Sequence, residues 1–226
     1  MTFRVQQKLR KTRTERTNAK TDFSALEAWC AAVLAKADKV KIEPCKGFDP
    51  EATARRIAKV SARANWAREI ADELNKIGIV LIVLEHLPGT YLDGAAMLRS
   101  DGVPVIALTI RHNRIDNFWF TLMHEFAHVC LHLNSGRDII LDDLDVSSAD
   151  EIEAEADAFA SEALIPGKLW LENIDGRSRT DDIKRVATRA GVHRAIAAGR
   201  WQHTFGDYRR FSKLLGRGEV RELFFG

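Results

Sequence analysis

Cysteine is scarce in this chain, and its three residues, Cys30, Cys45 and Cys130, lie far apart with no CxxC pair. That excludes a disulfide framework and a cysteine-based zinc knuckle, and it fits a reducing compartment. Long apolar runs are missing too. The longest one without a charge, residues 77–84, is far short of the roughly 20 residues a membrane helix needs. The charged N-terminal segment has no apolar stretch of the secretory kind, so the expectation is a soluble, cytoplasmic protein. Net charge is nearly absent: 34 Lys and Arg stand against 32 Asp and Glu, a formal +2. No global field therefore argues for nucleic acid. Neither an internal repeat nor a low-complexity tract is present. What remains is 226 residues, 46% hydrophobic and 29% charged, an ordinary globular balance with enough chain to bury a core without staples.

Charge is unevenly placed. Residues 1–22 hold seven basic and two acidic side chains and few apolar ones, which reads as a solvated, flexible arm with weak nucleic-acid contact as the alternative. Residues 138–157 hold nine acidic side chains and no basic one, and residues 177–226 hold twelve basic against five acidic. The expected organisation is the arm over 1–22, a main domain over 23–175 and a C-terminal helical subdomain over 176–226.

Ser24 followed by Glu27 resembles a capping box opening a helix over 24–38. Asp49 and Pro50 form an N-cap and N1 pair, and the apolar spacing that follows predicts one long helix over 50–76, ended by Gly78. The β-branched stretch 79–84 predicts a strand. Segments 95–99 and 103–109 flank Ser100-Asp101-Gly102, which is hairpin chemistry. A single apolar helix is expected over 114–133 with Asn113 as a cap, then an acidic loop. A helix over 149–164 follows, capped by Ser148 and stopped before Pro166. Further helices are expected from Thr180 to Gly191, over 193–204 and over 207–216.

The chemistry sits on the apolar helix. Residues 124–128 read His-Glu-Phe-Ala-His. Histidines at i and i+4 share a helix face and can bind one ion, and zinc favours such nitrogen ligands. Glu125 is the general base that takes a proton from water. Two histidines and a glutamate among so many apolar neighbours need partners, and a metal supplies them. A third protein ligand is required. The longer HExxHxxGxxH pattern fails, since Leu131 and Asn134 replace its glycine and last histidine. His132 is one turn too far along a straight helix and reads as rim or second layer. The acidic helix is the better source. Glu153 and Asp157 are i, i+4, so Glu153 can ligate while Asp157 orients an imidazole. The small residues Ala154, Ala156, Ala158 and Ala160 would let the two helices approach closely. Glu151 and Glu155 leave the register open.

Phe120-Thr-Leu-Met-His-Glu-Phe-Ala-His-Val-Cys-Leu-His132, then Glu153-Ala-Glu-Ala-Asp-Ala-Phe-Ala160 and Leu164-Ile-Pro166, resembles the ImmA/IrrE metallopeptidase family over about residues 50–170. The resemblance implies His124, His128 and Glu153 as zinc ligands and Glu125 as base. It also implies a protein substrate, a helix-turn-helix repressor cut once in stress-response or mobile-element control. The fold class expected is α+β: a mainly helical, zincin-like core with a small antiparallel sheet and a C-terminal helical subdomain walling the cleft. Tyr208, His203 and Tyr91 are candidate oxyanion donors, and a substrate peptide could add as a strand beside 95–99. The rival reading is a DNA-binding or partner-binding regulator with a structural or vestigial metal site. It rests on the helix-turn-helix spacing of 181–201 with Arg194 and Arg200 on the second helix.

Overall fold

The computed structural model describes residues 21–43, 47–133, 139–142 and 151–226. Residues 1–20 of the basic arm, Cys45, Asn134, Ser148 and most of the acidic loop lie outside the described residues. The fold is a mainly helical α+β arrangement around a four-stranded sheet of order β1-β3-β2-β4. The strands are β1 (Val80–Val83), β2 (Gly94–Leu98), β3 (Pro104–Leu108) and β4 (Ile139–Asp142). β2 is antiparallel to both β3 and β4, as the hairpin chemistry leads one to expect, while β1 lies parallel to β3. The sheet is therefore mixed. β4 occupies the edge of β2 that the sequence offered to a substrate strand, pairing Ala95 with Leu141 and Ala96 with Ile140.

Alternation along the strands splits the apolar residues between two cores. Val80, Ile82, Ala95, Met97, Val105 and Ala107 face helix α1 (Phe23–Ala37). Ala96, Ile106 and Leu108 face the other helices. Burial on both faces explains why these strands read as nearly continuous apolar runs. α1 is capped by Asp22, whose carboxylate accepts from Ser24 N and Ala25 N. The cap thus falls two residues before the expected Ser24.

The helix expected over 50–76 is two helices. α2 (Pro50–Ala58), capped by Asp49, tightens into a 3-10 turn over Lys59–Ala62. Arg63 is extended, and α3 (Trp66–Asn75) starts afresh. The cause is tertiary. The buried Ser61 hydroxyl donates to Ala58 O at 2.6 Å and accepts from His193 N at 2.9 Å, which pins the break against the C-terminal helices.

α4 (Ile115–Ala127) continues through a π turn over His128–His132. Asn113 does not cap it. Asn113 adopts a left-handed backbone, and its side chain accepts from Arg221 N. α5 (Glu151–Leu164) lies along α4. Ala156, Ala160 and Ala163 form the buried stripe, whereas Ala154 and Ala158 are exposed, because a helix turns one face in every 3.6 residues rather than every second residue.

The C-terminal third comprises α6 (Gly167–Asn173), α7 (Thr180–Ala190), α8 (Arg194–Phe205) and α9 (Glu219–Phe225). Thr180 is the first residue of α7 rather than its cap. Arg179 N donates instead to Asp182. The helix expected over 207–216 is a series of turns with one 3-10 turn at Ser212–Leu214. Gln202 holds those turns by donating to Tyr208 O and Arg210 O. α9 was not foreseen. Its Phe224 stacks on Phe118 with ring centroids 5.2 Å apart. Trp170, Val186, Ile196, Trp201 and Leu215 join the same core as α4. No helix among the described residues is long and apolar enough to cross a membrane.

Candidate metal centre

α4 is apolar nearly all round, so its polar residues are carried into the interior. His124, Glu125 and His128 are 1%, 0% and 0% exposed. The i, i+4 spacing brings the two imidazoles together edge to face, with Nε2 atoms 2.9 Å apart. α5 brings Glu153 over them, its Oε2 at 3.1 Å from His124 Nε2 and 3.4 Å from His128 Nε2. Of the three glutamates the sequence left open, Glu153 is the one brought to the histidines. Glu155 instead meets His132 Nε2 at 3.3 Å, and Glu151 is exposed.

The outer atoms are arranged to fix the imidazoles. His124 Nδ1 lies 2.9 Å from Asp157 Oδ1. An ionised carboxylate only accepts, so Nδ1 carries the proton and a neutral His124 presents a lone pair at Nε2. His128 Nδ1 lies 2.8 Å from His132 Nδ1. The π turn ends at His132, and single π turns of this kind recur at functional sites. His132 is thus placed behind His128, in the second layer.

Burial pushes the Glu153 carboxyl up, but hydrogen bonds and charge from His124 and His128 outweigh it and hold the group well below its ordinary value. Burial holds the His128 imidazole below its ordinary value, with Glu153 opposing. Both groups therefore favour the deprotonated forms that ligate a metal.

The donor set fits a small divalent ion. Two imidazole nitrogens and a carboxylate oxygen lie within 4.8 Å of one another. Zinc–nitrogen bonds of about 2.0 Å at tetrahedral angles place ligand atoms roughly 3.3 Å apart. The observed separations of 2.9, 3.1 and 3.4 Å bracket that value.

Glu125 is sequence-adjacent to His124 but leaves α4 on the side of β2. A Cβ placed on Gly94 would come within 2.9 Å of Glu125 Cγ and 2.7 Å of Thr121 Cγ2, with Glu125 Oε1 closer still. Gly94 is a site residue that reading the sequence missed. Its signal was a glycine opening a strand, which marks close approach of another chain segment. The candidate oxyanion donors are Tyr208, His203 and Tyr91. Tyr208 and His203 are exposed at the end of α8 and beyond it, and Tyr91 sits beneath the Arg111 guanidinium at 5.9 Å.

Residues 79–202, more than half of the chain and all of the site, match the model of peptidase family M78, described as the IrrE N-terminal-like domain. The chain belongs to this family. The family points to a metallopeptidase, and His124, His128 and Glu153 form a group that could hold a metal ion. The match runs on to Gln202 and takes in α7 and most of α8. No curated protein matches the chain.

Proposed function

We propose that this IrrE-like protein is a cytoplasmic zinc endopeptidase that makes a limited cut in a protein substrate. The resemblance of its paired motifs to ImmA/IrrE members favours a helix-turn-helix repressor as that substrate, in stress response or mobile-element control. The observation that carries the reading is the triangle of His124, His128 and Glu153 with Glu125 beside it and outside it. His124, His128 and Glu153 would hold the ion, leaving one tetrahedral position open. Bound zinc supplies a Lewis acid that polarises a carbonyl and lowers the pKa of water. Asp157 and His132 keep the two imidazoles in register. Glu125 accepts the proton of the attacking water at its carboxylate and delivers it to the leaving amine. Its burial between α4 and β2 keeps the carboxylate in one orientation.

The regulator reading draws on α7 and α8, which meet at Gly191 in the left-handed conformation. Against it, α8 is turned inward, with Ala195, Ile196, Ala197, Ala198, Trp201 and Gln202 buried. Arg200 donates to Ser161 O at 3.1 Å and Ile165 O at 2.5 Å and lies 4.7 Å over the Trp170 ring. A side chain committed to the end of α5 does not read base edges. The test is Glu125→Gln, assayed for metal content and for cleavage of a repressor substrate. The reading expects metal retained and cleavage lost, and a variant that cuts at the parental rate contradicts it.

A further inference from the structure

We propose that Glu155 is a positioning residue of the metal centre: through His132 it selects the tautomer of His128 that presents Nε2 to the ion. Three side chains stand in a row. His128 Nδ1 lies 2.8 Å from His132 Nδ1, and the other ring nitrogen of His132, Nε2, lies 3.3 Å from Glu155 Oε2. The row runs from the interior to the surface, with the His128, His132 and Glu155 side chains 0%, 7% and 62% exposed. The inference rests on the metal centre proposed above and requires nothing of peptide cleavage.

The hydrogens along the row are fixed from its outer end. A neutral imidazole carries one N–H and one lone pair, and an ionised carboxylate only accepts. Glu155 therefore takes a hydrogen bond from His132 Nε2, which leaves a lone pair on His132 Nδ1. That lone pair faces His128 Nδ1, so His128 carries its hydrogen there and has its own lone pair at Nε2. Nε2 is the atom that meets His124 Nε2 at 2.9 Å and Glu153 Oε2 at 3.4 Å. The opposite assignment closes the site. A hydrogen on His132 Nδ1 needs a lone pair at His128 Nδ1, which puts the His128 hydrogen on Nε2 and bars that nitrogen from a metal. The two ligand imidazoles are thus set by different means. His124 Nδ1 meets Asp157 Oδ1 directly at 2.9 Å, whereas His128 meets its carboxylate through a second imidazole. Outer partners of this kind orient a ligand and raise its affinity for the ion.

The test uses the full-length protein. In the zinc-loaded parent, long-range proton–nitrogen NMR of the histidine rings should find the hydrogen on Nδ1 of His124 and His128 and on Nε2 of His132. A His132 ring with its hydrogen on Nδ1, or with hydrogens on both nitrogens, overturns the proposal. Zinc affinity is then compared by chelator competition in Glu155→Ala, Glu155→Gln and Glu155→Lys, with Glu151→Lys as the control for charge on the same helix. Water can stand in part for a carboxylate as exposed as Glu155, so Glu155→Ala should weaken binding about three- to tenfold, at the low end of what outer partners contribute and too little to empty the site. Glu155→Gln keeps an acceptor oxygen and should recover most of that loss. Glu155→Lys offers only donors and should bind more weakly than Glu155→Ala. Unchanged affinity in Glu155→Ala overturns the proposal. Glu155→Gln no tighter than Glu155→Ala, or Glu151→Lys as weak as Glu155→Lys, shows that charge alone acts and overturns it too. A parent that binds no zinc refutes the metal centre itself, whereas a parent that binds zinc but gives any of these results refutes only the role of Glu155.

Discussion

Replacing Gly94 by alanine tests the geometry of the reacting groups without substituting any of them. The added methyl would sit 2.7 Å from Thr121 Cγ2 and 2.9 Å from Glu125 Cγ, whereas carbon atoms in comfortable contact are about 3.5–4.0 Å apart. Thr121 and Glu125 share one face of α4, and Ala95 beyond Gly94 is paired on both sides with Ala107 and Leu141. Little can yield except the Glu125 side chain, which must move by about 1 Å, a displacement that costs on the order of 10²-fold in rate. Overpacking adds about 1–3 kcal/mol of destabilisation, or about 2–4 °C in Tm for each kcal/mol in a chain of this size. The ligands His124, His128 and Glu153 are not displaced, so metal content should be unchanged. Gly102→Ala is the control. Nothing lies within 4 Å of the added methyl there, but φ is +85°, so it should cost about 1–2 kcal/mol of stability and leave cleavage intact. The comparison requires kcat for a protein substrate, metal stoichiometry and thermal unfolding of the three proteins. Gly94→Ala protein that cuts at the parental rate would refute the placement of Glu125 against β2.

Three further outcomes follow from the same contacts. Asp157→Ala removes the carboxylate that fixes His124 and should weaken zinc binding about 10–100-fold in a competition with a chelator; unchanged affinity would show that Asp157 does not set the imidazole. Gly199→Ala places a methyl within 2.7 Å of Asp116 Cβ and Cγ and should destabilise the α4–α8 contact by about 1–3 kcal/mol, read as a lowered Tm, and an unaltered Tm would contradict that contact. Burial pushes the Cys30 thiol up to about 12, so at pH 8 only about one in ten thousand is thiolate. Its peptide should stay unalkylated by iodoacetamide in native protein and react once denatured, and native labelling at a free-thiol rate would contradict the α1 packing.

The metal centre was legible because its chemistry is local. Two histidines four apart and a Glu153–Asp157 pair four apart each define a face within one helix, and the two faces meet as their spacings imply. What escaped reading depends on partners distant in the chain. Ser61 breaks a well-patterned helix because His193 N, 132 residues on, donates to it. Asn113 looks like a cap, yet it serves Arg221. Arg200 reads as a surface cation because its charge is visible and the carbonyls that hold it, Ser161 and Ile165, are not. β4 escaped because an acidic stretch hid the short apolar run that completes the sheet at β2. The π turn ending at His132 was not foreseen either, although the residue itself stands behind His128, in the second layer that its spacing suggests.

If His124, His128 and Glu153 together hold one metal ion, the ion should follow Glu153 and not Glu155. Elemental analysis of the purified full chain, alongside Glu153→Ala and Glu155→Ala, tests it most directly. The account predicts about one equivalent of zinc in the parent, since a three-ligand site closes around a single ion. It predicts loss of that zinc in Glu153→Ala and near-complete retention in Glu155→Ala, whose carboxylate reaches only His132. A parent that takes up no metal, or a Glu155→Ala protein that loses the ion while Glu153→Ala keeps it, would contradict the account.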